Sequence, residues 1–480
     1  MASTTTTGAH ILVFPFPAQG HILPLLDFTH QLALQNLSIT ILITPKNLPV
    51  LTPLLSAHPT IRTLILPFPN CPYMPSGVEN MKDLPSNGFD AMMRAMRELY
   101  YPILHWFESE SQSPSLILSD FFLGWTHHLA CQLSIPRIVF CPSGLFTLSI
   151  SADLWRDLPD RVNSDDPNEI ISFPKVPNSP SYPWWQISPV YRFYKKGGPD
   201  TEFVRDGMLA NLASWGIVFN SFGGLESVYL DQMKKVVGHE RVWAVGPLIA
   251  YDGLSEPVER GGSISIPGNE ILSWLDNCDA HSVVYVCFGS QTVFTNKQME
   301  ELALGLEQSG SKFIWAIKEP TAGHLSSEYG VIPDGFETRV KERGLVVKGW
   351  APQVLILKHR AVGAFLTHCG WNSVLESLAA GVPMLGWPMS ADQFMNATLL
   401  VDQVGVAVRV CEGEKTIPNA TELAVAVSKS VSDSGFEKER MRARKLSESA
   451  LGAVKEGGSS CKDLDRLVKD ICGIRQNQKL

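Results

Sequence analysis

The chain has 480 residues, more than one compact core usually holds, and this length favours two domains of roughly 200–250 residues each. Hydrophobic residues make up 45% of the chain and charged residues 18%, which is typical of globular proteins that bury large cores. The formal net charge of −8 argues against nucleic acid or an anionic membrane surface as the main partner, so an anionic ligand would need local hydrogen-bond donors.

Cysteine usage and the N-terminus indicate the compartment. The nine cysteines are scattered without a C-x-x-C pair, so neither a disulfide framework nor a zinc site is indicated. The first residues, MASTTTTGAH, lack the basic and apolar regions of a signal peptide, and Pro, Gly or charge interrupts each apolar stretch before about 18 residues. We therefore predict a cytoplasmic protein without a membrane span, and we expect a monomer.

The first half of the chain alternates short apolar strands with helices, which is the pattern of a parallel sheet covered on both faces. Helical segments are predicted at 22–34, 88–109 and 124–133. Strands are predicted at 10–16, 38–44, 61–66, 115–118, 137–140, 214–220 and 242–245.

Two polar residues follow predicted strands of this half. His21 stands where the strand at 10–16 gives way to a helix, and Asp120 stands just after the strand at 115–118. Because the carboxyl ends of parallel strands meet at one edge of a sheet, the two side chains can lie together. Histidine titrates near neutral pH and suits a general base, and a carboxylate on its far ring nitrogen would fix its tautomer. Taken alone, His21 is more simply explained as an ordinary histidine at the start of a helix.

The segment 155–200 interrupts the alternation with prolines and aromatic residues, among them Trp155, Trp184, Trp185 and Tyr191. Aromatic residues on long loops above an α/β sheet often form a binding wall for an apolar ligand. They could equally cover a small core of their own, and both interpretations stay open at this point.

A second alternation begins after residues 249–268, which contain Gly, Ser, Pro and charges without periodicity and are predicted to be a linker. Strands at 282–288 and 312–317 and helices at 270–276, 296–309, 391–404 and 419–431 are predicted there. Two similar α/β halves predict two Rossmann-like domains facing across a cleft. The glycine fingerprint of dinucleotide sites is absent after the first strand, and Thr44-Pro45-Lys46 replaces the expected acidic residue, which counts against a nicotinamide or flavin enzyme.

The stretch from Trp350 to Gln393 contains a strand, a tight loop, a helix and a strand. A short apolar run at 361–366 favours a buried strand, and 367–370 forms the loop. Apolar residues recur at helical spacing from Trp371 until Gly381 ends the helix.

The start of this helix suits a phosphate. Asn372 and Ser373 add small polar side chains to the unpaired N–H groups and the positive dipole of the first turn. Glu376 lies one turn further on the same face as Asn372, where it could accept hydrogen bonds from a ribose diol. An ordinary N-capped helix with one solvated Glu would show the same short pattern.

The whole stretch resembles, nearly position for position, the PSPG signature box of plant family 1 UDP-sugar-dependent glycosyltransferases. The matching elements are W-A-P-Q at 350–353, H-C-G-W-N-S at 368–373, Glu376, and W-P-x-x-x-D-Q at 387–393. The resemblance covers essentially the whole chain and implies an α/β protein of the GT-B class. It implies an acceptor-binding domain at 1–248, the linker at 249–268, a donor-binding domain at 269–455, and a C-terminal helix at 456–480 that packs back on the first domain.

The resemblance also implies an inverting, metal-independent reaction and assigns roles to residues. His21 of F-P-x-x-G-H-x-x-P would be the base, and Asp120 of S-D-F its partner. Trp350 would stack on uracil, and the backbone of Ala351 would recognise the uracil edge. The remaining donor contacts would be Gln353 and Glu376 to ribose, Ser290, His368, Asn372 and Ser373 to the diphosphate, and Asp392 and Gln393 to the sugar, with Gly370 and the Trp371 backbone nearby.

The donor and the acceptor are inferred from finer likenesses. Gln393 at the last position of the box is usual in glucosyltransferases, so UDP-glucose is the expected co-substrate, without a further cofactor. The N-terminal text FPFPAQGHILPLLDFTHQLAL, with DFFLGWT and WAVGP, is most similar to the subfamily that glycosylates flavonols and hydroxybenzoates and includes a flavonol 7-O-rhamnosyltransferase.

We therefore expect glucose transfer to a phenolic hydroxyl of a small aromatic acceptor. UDP-rhamnose as donor and ester formation on a carboxylate remain alternatives, and a non-catalytic nucleotide-sugar-binding protein would be expected to have lost His21 or Asp120. Phe16, Phe121, Phe122 and Trp185 are candidates for acceptor contacts, although each could be core, and Phe121 is assigned to the core.

Overall fold

The computed structural model describes residues 9–84, 88–249, 265–318, 320, 328–432 and 434–477. The chain divides into two compact units, one of Met1–Met81, Asn87–Ser255 and Gly452–Leu480 and the other of Lys82–Ser86 and Glu256–Leu451. The predicted linker falls largely on residues 250–264, which lie outside the described residues.

The described residues of the first unit form a parallel sheet of seven strands beside a small antiparallel hairpin. The strands are β1 (His10–Phe14), β2 (Ser38–Ile43), β3 (Arg62–Ile65), β4 (Leu116–Asp120), β5 (Arg137–Cys141), β6 (Ile170–Ser172), β7 (Ser181–Pro183), β8 (Gly216–Phe219) and β9 (Val242–Ala244). The sheet has the order β3-β2-β1-β4-β5-β8-β9, and β6 pairs with β7. Its inner strands are runs of buried Val, Ile, Leu and Phe, as expected for strands covered on both faces.

Helices cover this sheet. They are α1 (Gln19–Ala33), α2 (Thr52–Ala57), α3 (Phe89–Arg97), α4 (Tyr100–Ser109), α5 (Thr126–Gln132), α6 (Leu145–Asp157), α7 (Pro189–Arg192), α8 (Pro199–Ala213) and α9 (Gly223–Val237). The single helical segment predicted at 88–109 is therefore two helices. The segment 155–200, predicted as loop, contains the β6–β7 hairpin and α7.

The described part of the second unit contains a six-stranded parallel sheet in the order β12-β11-β10-β13-β14-β15. These strands are β10 (Val283–Cys287), β11 (Lys312–Ile317), β12 (Gly344–Lys348), β13 (Val362–Thr367), β14 (Met384–Gly386) and β15 (Ala407–Arg409). The helices are α10 (Gly268–Asp276), α11 (Asn296–Gln308), α12 (Phe336–Val340), α13 (Gln353–Lys358), α14 (Trp371–Ala380), α15 (Gln393–Thr398), α16 (Ala420–Ser430) and α17 (Glu437–Val454). The helix predicted at 391–404 begins at Gln393 and continues as a π-helical turn over Leu399–Gln403.

The last helix, α18 (Ser459–Asn477), belongs to the first unit. Asp463 accepts a hydrogen bond from the backbone N–H of Ala244 in β9 at 2.9 Å, and Ser460 donates to the carbonyl of Gly246 at 2.6 Å. Leu467 and Ile471 are buried in the core that also contains Ile11 and Val13 of β1 and Leu116 of β4.

In both sheets the strand order reverses at one point, between β1 and β4 and between β10 and β13. Such a reversal opens a crevice outside the carboxyl ends of the strands, where α/β folds bind ligands. The fold prediction of two Rossmann-like domains is confirmed. Among the residues that the structure describes, no helix is long and apolar enough to cross a membrane.

Candidate functional site

His21 and Asp120 lie together at the reversal point of the first sheet. Asp120 ends β4, and His21 is in the first turn of α1, which follows the neighbouring β1. His21 Nδ1 lies 2.9 Å from Asp120 Oδ2, and Asp120 is fully buried while 15% of the His21 side chain is exposed. Because an ionised carboxylate only accepts hydrogen bonds, Nδ1 carries the proton, and the lone pair of Nε2 is left to take up another.

The second oxygen of Asp120 is held by the chain that follows it. Oδ1 accepts a hydrogen bond from the backbone N–H of Phe122 at 2.9 Å, where a 3₁₀ turn over Phe121–Leu123 begins. Both carboxylate oxygens of Asp120 therefore have hydrogen-bond partners. The carboxylate is held in place at the end of β4, and it orients the His21 ring.

Four phenylalanine rings surround the imidazole of His21. The Phe122 ring stacks on it at 4.9 Å between centroids and the Phe121 ring at 5.7 Å, while Phe16 and Phe89 lie 5.5 and 6.3 Å away. The assignment of Phe121 to the core was wrong, because the 3₁₀ turn after β4 directs its half-buried ring onto His21. Phe16 is fully buried, and Phe89 was not predicted at all.

The aromatic residues of the segment 155–200 pack mainly on one another. The rings of Trp155 and Tyr191 meet edge to face with centroids 5.0 Å apart, and both are buried, as is Tyr182 in β7. These contacts support the small-core interpretation for the three residues. Trp184 and Trp185 are half-buried.

In the second unit, the loops that follow β10 and β13 meet at the reversal point of the sheet. Ser290 follows β10 after Gly289, and His368 follows β13. A Cβ atom on Gly289 would lie 2.7 Å from His368 Nε2, and one on Gly370 would lie 2.3 Å from the same atom. Two glycines therefore leave the space that the His368 ring occupies.

His368 is held neutral by its surroundings. Burial lowers its pKa to about 4. At neutral pH the ring therefore carries a single N–H and acts on a ligand as a hydrogen-bond donor without a charge.

The polar side chains of α13 and α14 are already connected. Gln353 Nε2 donates to Ser373 Oγ at 2.9 Å and to Glu376 Oε2 at 2.7 Å. The three predicted ribose and phosphate contacts thus form one network, in which the amide fixes the carboxylate one turn beyond the helix N-terminus.

The other predicted donor residues stand on the same edge of the sheet. Trp350 follows β12 and is half-buried, and Ala351 after it is buried. Trp371 and Asn372 open α14 directly after Gly370, the N-cap, with Trp371 buried and Asn372 half-buried.

The loop after β14 is fastened by its own side chains. The side-chain oxygen of Gln393 accepts hydrogen bonds from the backbone N–H groups of Met389 at 2.8 Å and Ser390 at 3.1 Å. Asp392 Oδ2 accepts from Asn396 Nδ2 at 3.0 Å. The amide N–H groups of Gln393 are therefore oriented away from the loop backbone.

One functional candidate escaped the sequence-based reasoning. Arg137 at the start of β5 is 1% exposed and donates hydrogen bonds around the end of β4. The sequence feature that could have identified it is a charged residue within an otherwise apolar predicted strand. Among the described ranges, no three His, Cys, Asp or Glu side chains are grouped so that they could hold a metal ion.

Comparisons with known proteins identify the family that this chain resembles. The sequence model of the family described as UDP-glucoronosyl and UDP-glucosyl transferase matches residues 266–449. The chain is 57% identical over 470 residues to UDP-glycosyltransferase 89B2 of Stevia rebaudiana, covering 98% of this chain and 99% of the relative. It is 52% identical over 475 residues to flavonol 3-O-glucosyltransferase UGT89B1 of Arabidopsis thaliana, covering 98% of each. The crystal structure of Arabidopsis thaliana UGT89C1 complexed with UDP-L-rhamnose matches with a TM-score of 0.80 and 39% identity, over 97% of this chain and 99% of that one.

Proposed function

We propose that this chain, which belongs to the plant family 1 UDP-glycosyltransferases, transfers glucose from UDP-glucose to a phenolic hydroxyl of a flavonoid or hydroxybenzoate. Membership of the family makes it a transferase that uses a UDP-sugar donor. The observation that carries the finer proposal is the contact between His21 and the buried Asp120, because a phenol needs a base before it can attack a sugar.

In the proposed reaction His21 Nε2 removes the proton of the acceptor hydroxyl. The acceptor oxygen then bonds to the anomeric carbon from the face opposite the diphosphate, and the bond from that carbon to the phosphate oxygen breaks. UDP leaves with the electron pair, and the anomeric configuration inverts. Asp120 stabilises the imidazolium that forms and holds the ring in the productive tautomer.

The donor is proposed to lie on the loops at the carboxyl edge of the second sheet. Trp350 would stack on uracil, with the backbone of Ala351 at the uracil edge, and the Gln353–Glu376 pair would bind ribose. Donors preorganised by the fold stabilise the charge that develops on the leaving diphosphate, and such electrostatic terms are commonly the largest in catalysis. These donors would be Ser290, His368, Asn372, Ser373 and the N–H groups of α14 after Gly370 and Trp371.

The hydrogen bonds of Gln393 support the proposal of glucose. Because its oxygen is already used by two backbone N–H groups, Gln393 presents its amide N–H groups to a sugar hydroxyl, and Asp392 beside it can accept from another. UDP-rhamnose is the second candidate donor, because a structure at 39% identity holds UDP-L-rhamnose.

An aromatic acceptor fits the phenylalanine rings around His21, since offset and edge-to-face ring contacts are favourable. The flavonol named for the Arabidopsis thaliana relative supports the same class. Ester formation on a carboxylate is the alternative. A carboxylate has no proton to lose at neutral pH, so its glycosylation would depend little on His21.

A non-catalytic role as a nucleotide-sugar-binding protein is disfavoured by the intact His21–Asp120 pair. We further propose a metal-independent, monomeric enzyme that works in the cytoplasm.

The test is product formation by the purified protein with quercetin and with 4-hydroxybenzoate. UDP-glucose and UDP-rhamnose are offered separately, with EDTA present. His21→Ala and Asp120→Asn are expected to lower the rate about 10²–10⁴-fold. His128→Ala serves as the matched control, because His128 is an exposed histidine on α5.

A β-glucoside that forms with wild type and is lost with His21→Ala supports the donor, the base and metal independence together. Rhamnoside as the sole product overturns the role of Gln393. A glucose ester whose rate survives His21→Ala overturns the phenolic acceptor, and UDP binding without any product overturns the catalytic proposal.

A further inference from the structure

Arg137 is a charged residue inside an apolar strand, and it lies beside the proposed catalytic pair. It begins β5, pairs in register with Ile117 of β4, and is 1% exposed. A buried guanidinium is costly unless its donors and its charge are both compensated, so its surroundings should show what it is retained for.

The donors of Arg137 are directed at the segment that carries Asp120. Nη2 donates to the backbone carbonyls of Asp120 at 3.2 Å and Leu123 at 3.3 Å, and Nε donates to Ser119 Oγ at 2.8 Å. One guanidinium thus holds the last residues of β4 and the far end of the 3₁₀ turn that follows.

The opposite edge of the guanidinium is anchored to α8. Nη1 donates to Asn211 Oδ1 at 2.9 Å and to Ser214 Oγ at 3.0 Å. Asn211 Nδ2 in turn donates to the backbone carbonyl of Phe121 at 2.8 Å, within the same turn. The turn that places Asp120 is therefore fixed from both sides by a rigid buried network.

The charge of Arg137 is also matched to the pair. Burial lowers its pKa to about 9, and the carboxylate of Asp120 acts in the opposite direction, so the guanidinium stays charged at neutral pH. Asp120 in turn is fully buried and lies 2.9 Å from His21. A positive charge nearby favours the ionised form of a carboxylate and the neutral form of a histidine.

We propose that Arg137 is a positioning residue for the His21–Asp120 pair: it fixes the turn that presents Asp120 to Nδ1 of His21, and it places a positive charge beside the pair. This inference rests on the proposed role of His21 as the base. It adds a third residue, on β5, to the pair on α1 and β4.

Titratable groups face this centre from several elements. Asp120 faces it from β4, His21 from α1 and His127 from α5. The pKa of His127 is lowered by burial first and by Arg137 second, and is raised by Asp206 of α8. His127 therefore needs its own control in any measurement of pH dependence.

The test compares the pH dependence of kcat/KM in wild type, Arg137→Met, Arg137→Lys and His127→Gln. A positive charge disfavours the uptake of protons by the groups around it, and Arg137→Met removes that charge from beside the pair. We therefore expect the acid limb of the profile of kcat/KM against pH to move at least 0.5 pH unit to higher pH in Arg137→Met. We also expect kcat to be about tenfold lower or more, with an unchanged KM for the UDP-sugar.

Arg137→Lys keeps the charge but loses the planar fork, so its acid limb should stay at the wild-type position while kcat falls. His127→Gln should leave the limb in place. Circular dichroism and thermal unfolding of each variant show whether it is folded.

A folded Arg137→Met whose limb stays in place overturns the inference, even if the rate falls equally at every pH, because that is the result of a purely structural role. If Arg137→Met does not fold, Arg137→Lys decides, and a shifted limb there overturns the inference. Activity retained by His21→Ala would overturn the proposed base itself. Loss of activity in His21→Ala together with an unmoved limb in Arg137→Met overturns this inference alone.

Discussion

At the scale of single residues, the loops after β10 and β13 depend on two glycines, because a side chain at either position would not fit. The ring of His368 occupies space beside Gly289 and Gly370, and any side chain at either position would overlap its Nε2. Gly370 has an ordinary N-cap conformation, with φ of −64°. Space alone, and not backbone freedom, therefore requires glycine there.

Replacing Gly370 with Ala should weaken donor binding. The new Cβ would lie 2.3 Å from His368 Nε2, so the imidazole must leave its position and its proposed hydrogen bond to the diphosphate is lost. A hydrogen bond to a charged group contributes about 1.5–3 kcal/mol, which corresponds to a rise of about tenfold or more in the KM for the UDP-sugar.

Steady-state kinetics and UDP titration calorimetry measure this effect. Gly452→Ala is the control, because a Cβ at Gly452 in α17 would meet no heavy atom within 4 Å. An unchanged UDP affinity in Gly370→Ala would remove His368 from the donor site.

The sequence suggests candidate residues, but it does not show the contacts between them. The motifs named His21, Asp120 and the donor residues because chemistry restricts which side chains suit such roles. They did not show that Phe121 stacks on His21 or that Arg137 reaches Asp120. Those contacts depend on a 3₁₀ turn and on residues far apart in the sequence, and no local pattern encodes them.

At the scale of elements, one buried carboxylate connects two helices of the first unit. Glu226 in the first turn of α9 accepts hydrogen bonds from the backbone N–H groups of Leu145 and Phe146 at 3.0 and 2.8 Å, and from Ser221 Oγ at 2.6 Å. It thereby caps the N-terminus of α6, where negative charge is favourable. Burial raises its pKa, and the three hydrogen bonds oppose that shift.

Removing this cap should destabilise the first unit. Glu226→Ala leaves two buried backbone N–H groups and a hydroxyl without their acceptor, and we expect a loss of about 2–5 kcal/mol in the free energy of unfolding. Glu226→Gln keeps one carbonyl acceptor and should lose less. Chemical denaturation measures both, and Asp231→Ala on the exposed side of α9 is the control, expected within about 0.5 kcal/mol of wild type.

The difference in the free energy of unfolding between wild type and Glu226→Gln should depend on pH with a defined sign. A carboxyl whose pKa is higher in the folded state than in the unfolded state binds more protons when folded. Its contribution is therefore fully present below the unfolded pKa and is lost as pH rises through the folded pKa. The advantage of wild type over Glu226→Gln should shrink from acidic towards neutral pH, and an advantage that grows instead would contradict the raised pKa.

Strands were predicted better than helices because the inner strands of a parallel sheet are short apolar runs with a distinctive composition. The predictions named neither α6, α8 and α9 nor the short strands β12 and β15. α6 carries Thr, Ser and Ile at several positions, residues with modest helix propensity, and its packing and the Glu226 cap determine its conformation. Tertiary contacts of that kind are invisible in a local window.

At the scale of the whole molecule, the alternation of strands and helices was enough to predict two parallel sheets. It was not enough to predict which helix completes the first unit. The observed strand order places each reversal beside loops that carry the motifs. What the local pattern of the last residues could not show is that the first unit is completed by α18, more than 200 positions beyond β9. The resemblance implied such a helix, and the buried positions of Leu467 and Ile471 show which side chains contribute to the core.

The role of α18 leads to a prediction that tests the two units independently. Leu467 is fully buried in the core of the first unit, so Leu467→Ala should leave a cavity there and lower the free energy of unfolding by about 2–5 kcal/mol. The proposed UDP contacts all belong to the second unit, so the UDP dissociation constant at 20–25 °C should stay within about twofold of wild type, and saturating UDP should still raise the unfolding temperature.

Cys472→Ala, an exposed position on the same helix, controls for changes in α18 that do not reach the core. Thermal unfolding and calorimetry of these variants check both halves of the argument. Wild-type stability in Leu467→Ala would show that α18 is not needed by the core, and weakened UDP binding at full folding would show that the second unit depends on it.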